Sequence, residues 1–143
     1  MKIRHFLSQV DHARIHQAIQ AAEKGTSGRM VIYISHHPVQ DVLTAAQEAF
    51  RNLALETEKD RSNLLLFLAP GAKKFAVLGG TGLHEKLGQA WWDHLADMIR
   101  LDFQKNRYTE GILAATEEVS RALKIHFPST DMPSLKHTDI VEE

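Results

Sequence analysis

The chain has 143 residues, the size of one domain that can bury a core without covalent staples. Its 17 Lys and Arg against 18 Asp and Glu leave a formal net charge of -1, so no global field favours nucleic acid, an acidic substrate or an anionic membrane. The lack of cysteine excludes disulfides, thiolate metal sites and cysteine nucleophiles, and it fits a reducing compartment.

The first residues, Met1 to Ser8, carry positive charge but no apolar run of signal-peptide length, and the expected location is the cytoplasm. Val10, Ile15, Ala18, Ile19 and Ala22 then recur at helical spacing between Asp11, a candidate N-cap, and Gly25, a candidate stop, which predicts a helix over 11–24. Met30 to Ile34 is a short, partly β-branched apolar run and reads as a buried strand. A second helix is expected from Asp41 to Leu55, followed by a charged connector from Glu56 to Arg61.

Leu64 to Leu68 and Lys74 to Leu78 read as two strands, and the short Pro-Gly turn between them forbids a parallel crossover, so an antiparallel hairpin is predicted. Leu64 to Pro70 is also the longest strongly apolar stretch, far below the roughly 20 residues a membrane-spanning helix needs. A long helix follows from Leu83 to about Phe103, interrupted near Gly88, and a last one from Thr109 to His126 is ended by Pro128. The order α-β-α-β-β-α-α, with continuous apolar strands, implies a three-layer α/β/α sandwich around a small mixed sheet. Residues 1–128 form the single domain of this reading, and 129–143 a flexible polar C-terminal tail.

Chemistry is sought where strand ends meet glycine. Gly79-Gly80-Thr81-Gly82 leads into a helix, and glycine lets backbone amides approach an anion at the positive helix end. The pattern is neither the Gly-Lys-Ser/Thr phosphate loop nor the dinucleotide fingerprint, and a structural turn is its ordinary meaning. Asn63, Gly80, Thr81 and Gly82 are the candidate ligand-binding residues of this edge. Among nine histidines, His12 and His16 have the i, i+4 spacing of a metal pair, but Ala13 stands where a zinc-protease helix has Glu, so no metal is assigned to them. The adjacent Trp91 and Trp92 point about 100° apart on a helix, so one of them belongs near the surface, a candidate contact for a protein partner. No serine lies in a Gly-x-Ser-x-Gly turn.

The run Leu64-Leu-Leu-Phe-Leu-Ala-Pro70, a basic pair, a short strand and then Gly80-Thr-Gly-Leu83 opening a helix resembles the TPM domain. Thr26-x-Gly28, Phe103 and Tyr108-x-x-Gly111-Ile112 add to the resemblance, which spans residues 10 to 127. It implies an α/β/α fold and, as in some members, acid phosphatase activity or binding of a divalent cation. Where the family commonly has Asp-Asn-Gly this chain has Arg61-Ser62-Asn63, and the family's Glu and Asp after the glycine motif are His84 and Gln89 here. Calcium wants six to eight oxygen ligands, several of them carboxylate, and the loss of these acids weighs against a family-type site.

Two functions compete. The preferred one is a cytoplasmic module of undefined activity that binds a protein partner or small ligand at the edge formed by Asp60 to Asn63 and Gly79 to Glu85. The alternative is a divalent-cation-dependent acid phosphatase using Ca2+ or Mg2+, with Asp60 and Glu85 as metal ligands, His84 as proton donor and Arg61 orienting phosphate.

Overall fold

The computed structural model describes residues 6, 10–37, 39–56, 62–129 and 139–143. In chain order these form α1 (His12–Glu23), β1 (Met30–Ile34), α2 (Val42–Asn52), β2 (Leu64–Ala69), a 3-10 turn (Pro70–Ala72), β3 (Lys74–Gly79), α3 (Thr81–Gln104), α4 (Tyr108–His126) and β4 (Ile140–Glu142). Local chemistry sets most of these boundaries. Asp11 caps α1 by accepting the Arg14 amide at 3.1 Å, and Asp41 caps α2 by accepting those of Leu43 and Thr44. Gly88, at φ 76° and ψ 162°, breaks α3 into two helical segments, a backbone state that a side chain would oppose.

The sheet is mixed, in the order β3-β2-β1-β4. β1 and β2 run parallel with Met30 opposite Leu64, joined by a crossover that contains α2, while β2 and β3 form the antiparallel hairpin with Leu66 opposite Val77. Alternation along the strands divides the core. Met30, Ile32, Ile34, Leu64, Leu66 and Leu68 face one side, packed with Ile15, Ile19, Leu95, Ile99, Ile112 and Val119 of α1, α3 and α4. Val31, Leu65, Phe67 and Ala69 face the other and pack against Ala46 and Ala49 of α2. With both faces covered, every residue of β2 is buried, which is why that strand is continuously apolar. Each such leucine contributes about 1.5–3 kcal/mol by leaving water.

β4 lies in the stretch whose polar composition suggested no element. It runs parallel to β1, with Ile32 opposite Ile140, and the Ile32 amide donates to the Asp139 carbonyl at 2.8 Å. Three histidines face the carboxylates of Asp139 and Glu142. His12 Nε2 lies 2.8 Å from Glu142 Oε1, His16 Nδ1 lies 2.5 Å from Asp139 Oδ2, and His36 Nε2 lies 3.7 Å from Glu142 Oε2. The i, i+4 pair on α1 therefore meets two different carboxylates, Asp139 just before the last strand and Glu142 within it. No helix among the described residues is long and apolar enough to cross a membrane.

Candidate functional site at the start of α3

The strand-end edge is assembled by Asn63. Its side chain is buried, its Oδ1 accepts the Arg29 amide at 3.1 Å, and its Nδ2 donates to the Leu55 carbonyl at 2.9 Å. Its own carbonyl accepts the Gly80 amide at 2.9 Å. One residue thus ties the entry to β1, the exit from α2 and the entry to α3. Both ends of its amide are committed to backbone partners, which makes it a structural hub of the edge.

The glycine turn is filled from inside the protein. A Cβ on Gly79 would stand 2.4 Å from Cη2 and 2.8 Å from Cζ2 of Trp92, so the indole of α3 occupies the space that glycine leaves open. Gly80 is buried and forms the N-cap of α3 without a side chain to cap it. A carboxylate from elsewhere supplies that cap. Glu56 Oε1 accepts the Thr81 amide at 3.2 Å and the Thr81 hydroxyl at 2.8 Å. An anion at a helix start is favoured by the unpaired amides and the dipole, and here the chain provides the anion itself.

Beyond the cap, the surface is aromatic. His84 is exposed, and its ring stacks on Trp92 at 4.6 Å between centroids with 24° between planes. Trp91 meets Trp92 edge-on at 4.9 Å and is partly exposed, whereas Trp92 is buried. This resolves which of the adjacent tryptophans lies near the surface. Gly82 is half-buried and Glu85 exposed on the first turns of α3. Asp60 and Arg61, the other expected metal ligand and phosphate contact, lie outside the described residues. The structure therefore brings Asn63, Gly80, Thr81 and His84 to one edge, and among the described residues no three His, Asp or Glu side chains gather as a metal site.

Glu56 is the functional residue that sequence reasoning missed, because its partner lies 25 positions away and nothing local in a charged connector marks one glutamate as a cap.

A mixed four-stranded sheet with helices on both faces, its edge closed at a glycine-led helix, defines a small α/β/α sandwich domain. A family model for the TPM domain matches residues 2–122, and the chain belongs to that family. Among solved structures it is similar to the BA42 protein of the psychrophilic bacterium Bizionia argentinensis, with 26% identity, a TM-score of 0.82 and coverage of 92% of this chain and 91% of that one. The N-terminal domain of a Corynebacterium glutamicum protein shares the fold at 18% identity and a TM-score of 0.63, covering 92% of this chain and 85% of that chain. So does the N-terminal domain of a P. gingivalis protein, at 18% identity and a TM-score of 0.63, over 86% and 83% of the two chains. No curated protein sequence matches significantly.

Proposed function

We propose that this TPM domain is a binding module whose α3 start, with His84 and Trp91 beside it, recognises a protein partner, and that it does not act as a metal-dependent phosphatase. The observation that carries the reading is the Glu56 cap. A phosphoryl group would have to displace a carboxylate already bonded to the amide and hydroxyl of Thr81. Like charges at one helix start exclude each other, and the incoming anion would gain only what Glu56 loses. His84 and Gln89 stand where the family's acids are expected, which removes two of the carboxylates a calcium or magnesium ion would use.

What stays accessible at this edge has the chemistry of a contact surface. A stacked imidazole and the rim of a tryptophan offer flat, rigid area at low entropic cost, the kind of group enriched at binding hot spots. The cysteine-free composition suits a cytoplasmic setting. The test pairs calorimetric titration of Ca2+ and Mg2+ with hydrolysis of a generic phosphomonoester by the intact chain. The reading expects no saturable metal heat and no turnover. Metal-dependent turnover that is lost in His84→Ala would establish the phosphatase instead.

A further inference from the structure

A concave site lies at the end of the sheet opposite the α3 start. β3 runs from Lys74 to Gly79, so its two ends are roughly 17 Å apart at the usual rise of an extended strand. At the Lys74 end, beside the carboxyl end of β2, is a cavity of about 720 Å³ bordered by the β2–β3 turn, the last turns of α3 and the start of α4. The volume lies in the range of small-molecule sites.

The wall is a run of rings. Phe6 packs on Tyr108 at 5.1 Å, Tyr108 on Phe103 at 5.5 Å and Phe103 on Phe75 at 5.8 Å, each pair tilted or edge-on. Phe75 and Phe103 are only partly buried, so ring surface is left uncovered toward the cavity. Tyr108 spends its hydroxyl on Asn106 Oδ1 at 2.8 Å, and Asn106 and Gln104 border the cavity as neutral polar groups beside the rings. The rim is cationic. Lys73 and Lys74 border it from the turn, both exposed, and Arg100 borders it from α3 with its guanidinium 5.9 Å from the Phe75 ring centre. Among the described residues, two acids lie near these cations: the exposed Asp97 pairs with Arg100 at 2.7 Å, and Asp41, which holds the first amides of α2, is close enough to Lys74 to feel its charge. Neither lines the cavity.

We infer that this cavity binds a small organic anion with a flat aromatic body, its rings against Phe75 and Phe103 and its carboxylate among Lys73, Lys74 and Arg100. The tilted rings present faces and edges to a planar guest, and the three cations select an acid over its neutral analogue. This site is independent of the α3 start, and either can fail without the other.

The probe is 2-naphthoate, titrated into the full chain labelled with 15N, with 2-naphthylmethanol as the uncharged control. The expected result is saturable shifts confined to amides near 68–75 and 100–108, with a Kd on the order of 1 mM or tighter for a ligand of this size. The alcohol binds roughly tenfold more weakly, and a Lys73→Gln, Lys74→Gln, Arg100→Gln triple variant weakens the acid by about the same factor while leaving the alcohol unchanged. These side chains are exposed, so the variant's unchanged amide spectrum away from the site checks its fold. Shifts that never saturate, that centre on Gly80 to Glu85, or that are as strong for the alcohol as for the acid overturn the inference.

Discussion

Replacing Gly79 by alanine puts a methyl carbon 2.4 Å from Cη2 and 2.8 Å from Cζ2 of Trp92, inside any allowed contact. The indole has little room to retreat, since Trp91 abuts it edge-on and His84 stacks on its face. Overpacking of this kind costs about 1–3 kcal/mol. Trp92→Phe removes both clashing atoms; alone it costs about 1–2 kcal/mol, because lost packing is partly offset by removing a buried indole N–H that has no hydrogen-bond partner among the described residues. The two substitutions together should therefore be more stable than the sum of the singles by roughly 1 kcal/mol or more, the size of coupling expected of side chains in contact. Urea unfolding followed by far-UV circular dichroism, which does not depend on the tryptophan signal, measures all four proteins. A neutral Gly79→Ala, or costs that add to within about 0.5 kcal/mol, would refute the claim that Gly79 is glycine to seat Trp92.

Other outcomes follow from the same geometry. Glu56→Ala should cost about 0.5–2 kcal/mol, as loss of a helix cap does, and should make the α3 start newly responsive to inorganic phosphate in an amide-shift titration. The Asp41 carboxyl is held below its ordinary 3.8 chiefly by the Thr44 amide, then by the Thr44 hydroxyl. Its contribution to stability is complete above that ordinary value and is lost as pH falls through the lower folded value, so Asp41→Asn should flatten the acid limb of a stability-against-pH curve by lowering the neutral plateau toward the acid end. Removing residues 139–143 should accelerate hydrogen exchange at Ile32, whose amide donates to Asp139, and should leave β1 as an open edge that promotes self-association measurable by sedimentation.

Much of the fold was legible because it rests on local patterns. The gap between Leu68 and Lys74 permits only a hairpin, and β2 pairs with β3 in that way. Gly88 reads as an interruption of α3 and is one. β4 was not legible, since two β-branched residues, Ile140 and Val141, are too short a signal, and the strand depends on a distant edge and on His12, His16 and His36. The candidate site was legible only as a backbone shape. Asn63, Gly80, Thr81 and His84 do share one edge, but the roles of Asn63 and Thr81 come from Leu55, Arg29 and Glu56, contacts whose sequence separations range from 8 to 34. The cavity at the far end escaped notice for a similar reason. Lys73 and Lys74 stand in sequence only as a basic pair after the Pro-Gly turn, and the fold brings Arg100, Phe103 and Tyr108 beside them.

The central claim is that the α3 start is capped by Glu56 and serves recognition, not metal-dependent hydrolysis. An amide-shift titration of the intact chain with Ca2+, and then with phenyl phosphate in its presence, tests it most directly. The account predicts no saturable movement of the Gly80 to Glu85 amides in either step. Saturable shifts there, with release of phenol over time, would contradict it.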